Sequence, residues 1–151
     1  MQPRKVAVTS PHKCRVIKVE QITRTIKTKM KKVKTLRTLK THADYEWYRK
    51  TPKFPTCYIC SAPAIKTYGK WKKIENEFPY DEIATENDMI VPLRHTAEDN
   101  LTETELREFA EIKKEINEEY DMITENTHKQ KSIPGHFHLH LLTIKEREME
   151  E

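Results

Sequence analysis

The sequence predicts an α+β domain preceded by a basic, helical N-terminal arm, and three observations carry that expectation. Apolar residues in the first fifty positions recur at helical spacing among lysines and arginines. Short β-type runs and one strongly signalled helix occupy the remainder. Near the C-terminal end, His136, His138 and His140 take every second position of an apolar run, in a chain with seven histidines in all. With 151 residues, 36% of them hydrophobic, the chain can bury one modest core. No run approaches the roughly 18 apolar residues of a membrane span, and the opening "MQPRKVAVTSPHKCRV" lacks the unbroken apolar stretch of a secretory signal. A cytoplasmic protein with no membrane partner is expected.

The arm comes first. Residues 1–50 hold 15 Lys/Arg against 3 Asp/Glu, a net +12, and the remainder holds 13 against 21, a net −8. Within the arm Val19, Ile22, Ile26, Met30, Val33 and Leu36 fall at steps of three or four, the period of an amphipathic helix. The repeated threonines at 23, 25, 28, 35, 38 and 41 lower helix propensity, so a strand-rich or partly disordered arm is the competing reading. A short helix is expected over residues 43–50, ended by Pro52 and Pro55, and the body is placed at residues 51–151. The basic arm is either a phosphate-binding surface for nucleic acid or a solvated helix face.

In the body, "KWKKIEN" (70–76) and "NDMIVPL" (87–93) read as strands, the second ended by Pro92. A helix over 102–121 has the clearest signals. Thr102 and Glu105 form a capping box, Leu101 and Leu106 fit a hydrophobic staple, and Leu106, Phe109, Ala110, Ile116 and Tyr120 supply an apolar face. With Gly69 and Gly135 as the sole glycines, no Gly-rich phosphate loop exists.

The histidine run follows. On a strand, His136, His138 and His140 project from one face, while Phe137, Leu139 and Leu141 enter the core. Three imidazoles in register repel one another when protonated, which makes the run a candidate site rather than ordinary packing. Two chemistries suit it: a three-nitrogen zinc site that activates water, or one imidazole acting as nucleophile while its neighbours orient it and bind anionic oxygens. The pair Cys57 and Cys60, in "CYIC", is half of a zinc site, a redox pair or two unrelated thiols.

"HFHLHLL" (136–142) resembles the His-x-His-x-His-x-x signature of the histidine triad (HIT) superfamily. "NDMIVPLRHTAEDNLTETELREF" is similar to the strand, Pro-x-x-His and helix that precede the triad in that family, and "WKKIENEFPYDE" to its strand with an Asn-x-Phe-Pro segment. The resemblance covers roughly residues 54–144 and leaves the arm outside it. It implies an antiparallel sheet with a packed helix. It also implies cleavage or transfer of nucleotidyl groups, with His138 as nucleophile on the α-phosphorus and His140 holding phosphate oxygens or positioning His138. A subset with an N-terminal Cys pair takes two more zinc ligands from the Pro-x-x-His histidine and the first triad histidine; here the set is Cys57, Cys60, His95 and His136, a closed structural site. Where many members have a Gly-Gln-Ser-like turn before the triad, this chain has "KSIPG", with Ser132 near the Gln position.

The leading expectation is therefore a nucleotide phosphohydrolase or nucleotidyl transferase. His138 and His140 are its catalytic residues, Asn76, Phe78, Ser132 and His140 its substrate contacts, and structural zinc its cofactor, with Ile90 as a further apolar contact to a base. The alternatives are a zinc-stabilised nucleotide- or nucleic-acid-binding module without catalysis, and a hydrolase with zinc on His136, His138 and His140. Expected partners are a nucleotide substrate, nucleic acid through the 1–50 arm, and a second copy in a homodimer. If the arm binds nucleic acid, oligonucleotide affinity should fall steeply as salt rises and vanish on deletion of the arm, measured by fluorescence anisotropy; equal binding by truncated and intact chains rejects that role.

Overall fold

A computed structural model describes residues 30–51, 57–131, 133 and 135–150. The chain forms two compact units, residues 1–33 and 34–151, and the second holds every regular element described below. It thus takes in residues 34–50, which charge alone groups with the arm.

Residues 30–38 are not helical, so the end of the expected arm helix, at Met30, Val33 and Leu36, is absent; the rest of that stripe lies outside the described residues. Met30 is 93% exposed and Leu36 45%, so at these positions burial does not offset the weak propensity of Val33 and Thr35. The first helix, α1 (Leu39–Lys50), starts four residues before the expected 43. Thr38 caps it, its Oγ1 accepting from the Thr41 N–H. Asp81 fixes the cap: its Oδ1 accepts from the Thr38 N–H at 2.8 Å, and its Oδ2 from the Thr41 hydroxyl at 2.6 Å. Burial pushes the Asp81 carboxyl up, but these hydrogen bonds outweigh it and hold the group below the usual carboxylate range.

A one-turn helix, α2 (Tyr58–Ser61), leads into strands β1 (Lys66–Tyr68), β2 (Trp71–Glu75) and β3 (Ala84–Pro92). Helix α3 (Glu103–Glu119) follows, then β4 (Met122–Thr124) and β5 (Leu139–Ile144). The strands form one five-stranded antiparallel sheet in the order β1-β2-β3-β5-β4. The fold is α+β, as expected, and no helix among the described residues is long and apolar enough to cross a membrane. Gly69, at φ 52°, makes the β1–β2 turn, where a Cβ would lie 2.9 Å from the Glu108 carboxylate.

Helix α3 covers one face of the sheet. Ile112, Ile116 and Tyr120 pack with Trp71, Ile90, Phe137 and Leu141. The expected apolar face needs rotating, because Leu106 is 54% exposed and Ala110 is exposed, while Ile112 is buried. The buried residue at the first turn is instead Glu105. Its carboxylate closes the expected capping box with Thr102 and takes a forked pair of bonds from Arg94, both at 2.8 Å. The Arg94 bonds, with those from Thr102, lower the Glu105 pKa to about 2. With Glu105 turned inward, Leu106 lies on the solvent side of the same turn, and burial of a paired charge there is what the apolar pattern alone conceals.

On the opposite face Ile59, Ala62, Ile74, Met89 and Val91 form a second core under α2. This is the face on which the histidines lie.

Two outcomes test the α3 start. Thr102→Ala should cost about 1 kcal/mol, lowering the thermal midpoint by about 2–4 °C. The Glu105 carboxylate stabilises the fold fully above its ordinary pKa of 4.5, and that contribution is lost as pH falls towards about 2. Urea titrations across this window should therefore show a shallower acid slope in Glu105→Gln than in the parent; identical slopes would remove the ion pair from the account.

Candidate functional site

Two clusters of chemistry-bearing side chains meet at the start of β5. The strand begins at Leu139, three residues later than alternation from His136 suggests. The reason is local: the Phe137 N–H bonds to the Thr96 carbonyl at 2.7 Å and the His136 ring to the Pro92 carbonyl, so this backbone is held by the loop after β3 rather than by a sheet ladder. The alternation of faces survives. Phe137 and Leu141 enter the α3 core, and His136, His138 and His140 turn to the other side, each 4% exposed or less.

The first cluster is a metal-ligand set. One donor atom from each of Cys57, Cys60, His95 and His136 lies within 4.8 Å of all the others. The His136 Nδ1 is 3.4 Å from both sulfurs, and the His95 Nδ1 is 3.3 Å from the Cys60 Sγ. A carbonyl can only accept, so the 2.9 Å contact of His136 Nε2 with Pro92 O puts the proton on Nε2 and leaves the Nδ1 lone pair facing the thiols. Gly135 allows the closeness, since a Cβ there would be 3.1 Å from His95 Nε2. Lys72, almost buried on β2, donates to the Ala62 carbonyl at 2.7 Å and ties the Cys turn to the sheet. Two sulfurs and two imidazoles fit a four-coordinate metal ion. The four residues named from the sequence are therefore together.

The second cluster is a pocket lined by His138, His140, Asn76, Phe78, Tyr80, Arg37, Tyr45, Tyr48 and Tyr58, among others. The His138 Nδ1 donates to the His136 carbonyl at 2.9 Å, which leaves Nε2 as the unprotonated nitrogen of the neutral ring. Burial pushes the pKa of His138 down, keeping it neutral near neutral pH. His140 stands edge to face with it, ring centroids 5.4 Å apart. Burial, the neighbouring His138 and the charge of Arg37 lower the His140 pKa to about 3. Tyr80 accepts from the Asn126 amide at 2.6 Å, so its own proton goes to His140 Nε2 at 3.1 Å, and the remaining proton of His140 sits on Nδ1. That buried Nδ1 has no hydrogen-bond partner among the described residues.

Asn76 and Phe78, the expected substrate contacts, line the pocket, and Asn76 works for the fold as well. Its amide donates to Asn87 Oδ1 at 2.9 Å and accepts from the Phe78 N–H at 3.2 Å, shaping the turn that carries Phe78. Ile90, named as a further contact to a base, does not line this pocket: it is fully buried beside Trp71 on the α3 face, one residue out of phase with Met89. Ser132 lies outside the described residues, while its neighbour Ile133 lines the pocket. Sequence reading missed Arg37, Tyr45, Tyr48, Tyr58 and Tyr80. Arg37 was indistinguishable from the other cations of the basic segment, and only the Tyr45–Tyr48 spacing of three on a helix hinted at a shared face.

A neutral imidazole with one bare nitrogen, inside a largely aromatic pocket, can attack an electrophile or accept a proton. No protein-family model matches the chain, and no curated protein matches it.

If the four-residue cluster holds a metal ion, purified protein should carry about one metal equivalent per chain. Cys60→Ser should lower that content and the thermal midpoint by roughly 10 °C, because metal binding at a closed site is folding free energy. Fully folded, metal-free wild-type protein by elemental analysis and calorimetry would sink the assignment.

Proposed function

We propose that the chain is a nucleotide phosphohydrolase or nucleotidyl transferase of the histidine triad type, with His138 as nucleophile at an α-phosphate and a structural zinc on Cys57, Cys60, His95 and His136. The observation that carries this reading is the 2.9 Å hydrogen bond from His138 Nδ1 to the His136 carbonyl, which directs the nucleophilic Nε2 lone pair away from the backbone while the ring stays neutral.

In the first step Nε2 attacks phosphorus, a P–N bond forms, and the P–O bond to the leaving group breaks with its electron pair. The ring becomes cationic, and the Nδ1–H to carbonyl bond strengthens as it does so. In the second step water, or an acceptor hydroxyl, attacks phosphorus. The P–N pair returns to Nε2, and the attacking oxygen gives its proton to solvent water. Phe78 and the tyrosines offer flat apolar faces suited to a base.

The donor set supports zinc as the metal, two thiolates and two imidazoles being its common structural environment. It also counts against the three-histidine zinc hydrolase, because His136 groups with the cysteines and His95, and His138 Nδ1 is engaged with backbone. The proposed zinc holds the α2 turn to the loop that carries His136. Its chemistry is structural.

Rapid-quench mass spectrometry over a panel of adenylyl and guanylyl substrates tests the mechanism. Wild type should yield an acid-labile nucleotidyl adduct, and His138→Asn should lose the adduct and at least roughly a thousandfold in turnover while retaining zinc. Turnover without a trapped adduct, together with zinc loss in the variant, would reject the nucleophile; affinity with neither adduct nor turnover in wild type would leave a binding module.

A further inference from the structure

The geometry points to Arg37 as an anion clamp of the His138–His140 pocket, its terminal amino groups binding the phosphate oxygens of a nucleotide. The assignment deepens the nucleotide reading and rests on it for the substrate class.

Among the cations of the 34–50 segment, Lys40 and Arg49 pair with carboxylates of their own helix, whereas Arg37 is held by a backbone carbonyl and two rings. Its Nε donates to the Phe78 carbonyl at 2.8 Å, and its guanidinium lies 4.3 Å from the Tyr45 ring centroid and 4.9 Å from that of Tyr80. A long, flexible side chain is thereby fixed in one plane before any ligand arrives, so little rotamer entropy remains to be lost on binding. One of its five donors is used. Among the described residues no carboxylate pairs with it.

The contrast with Lys131 sharpens the point. Both cations act on the histidines, Lys131 on His138 and Arg37 on His140. Lys131, however, is paired with Glu125 at 2.5 Å and is thereby neutralised. Arg37 lines the pocket with a positive charge that no carboxylate among the described residues pairs.

A second observation converges on the same ligand. The Nδ1–H of His140, in a ring that also lines the pocket, is buried and has no partner among the described residues. A buried donor left unpaired costs free energy unless something accepts from it. Anionic oxygens are the acceptors that satisfy both an orphaned N–H and a guanidinium fork. The chain has "KSIPG" before the histidine run, without a Gln-Ser pair, and no Gly-rich loop.

Isothermal titration of the full chain with adenosine, guanosine, their monophosphates and inorganic pyrophosphate tests the clamp in wild type, Arg37→Met and Arg37→Lys. Arg37→Met should weaken monophosphate and pyrophosphate binding by about 10- to 100-fold and leave nucleoside affinity unchanged. Arg37→Lys keeps the charge and the stem but not the planar fork. It should recover only part of the loss, and it decides the matter if Arg37→Met does not fold, undiminished anion affinity then overturning the clamp. Equal monophosphate affinity in wild type and Arg37→Met overturns the clamp and leaves the nucleotide reading standing. Nucleoside affinity lost in step with the monophosphate also overturns it, by showing that Arg37 only packs the pocket. Arg37-dependent pyrophosphate binding with no affinity for any nucleoside or nucleotide keeps the clamp and rejects the nucleotide reading, whereas a wild type that binds no probe overturns both.

Discussion

The hydrogen bond from His136 Nε2 to the Pro92 carbonyl, 2.9 Å long, fixes the roles of the groups around it. It orients one imidazole so that Nδ1 faces Cys57 and Cys60. It also holds the chain off the sheet before Leu139, so that the His136 carbonyl is free of a ladder partner and accepts from His138 Nδ1. One residue thus serves the metal-ligand set with its side chain and the pocket with its backbone. Loss of the Cys–His set would act on His138 through this residue, without any direct contact between His138 and the sulfurs. Coupling of that kind needs no long pathway, only two neighbouring residues with fully assigned hydrogen bonds.

The histidines illustrate how a repeat in sequence becomes a division of labour in space. Alternation sends all three rings to one side of the chain, but successive strand residues on a face are about 7 Å apart. The rings do not act as one set here, and each finds its own partner: sulfurs for His136, a backbone carbonyl for His138, the Tyr80 hydroxyl for His140. Burial then works alike on all three, penalising the protonated form, so the crowding of like charges expected from the sequence does not arise at neutral pH.

Much of this was legible from residue order, and what was not has physical causes. Helix α3 announced itself because capping is a local signal read over four residues, Thr102 to Glu105. The metal-ligand set was legible through a family resemblance rather than through geometry, since nothing in the spacing between Cys60 and His95 fixes their approach. Strands β1 and β4 were missed, being three residues each, too short for a period of two to show. The phase of α3 was misread because its first inward position is a carboxylate: Glu105 is buried by virtue of Arg94, eleven residues upstream, and no apolar pattern encodes that. Arg37 was hidden by its company. Charge counting treats the first fifty residues as one basic block, whereas the fold parts them at Val33 and Lys34 and turns one cation inward.

That partition changes the electrostatic problem. Residues 1–33 hold 10 Lys/Arg against 1 Asp/Glu, and residues 34–151 hold 18 against 23, so the unit with the pocket carries a net −5. Its overall field repels an anionic ligand, and at physiological ionic strength that field is screened beyond about 8 Å. Affinity for a phosphate must then come from short-range groups inside the pocket, where screening is weak. The histidines cannot supply charge, because burial keeps them neutral, and Lys131 has spent its own on Glu125. A guanidinium meets the requirement where an imidazolium does not: its pKa lies so far above neutrality that desolvation leaves it charged, and its planar face packs on tyrosine while its edge remains available to oxygen. Under the proposed mechanism, such a group beside two imidazoles would separate the tasks of attack and charge neutralisation, which compete when both fall to the same ring.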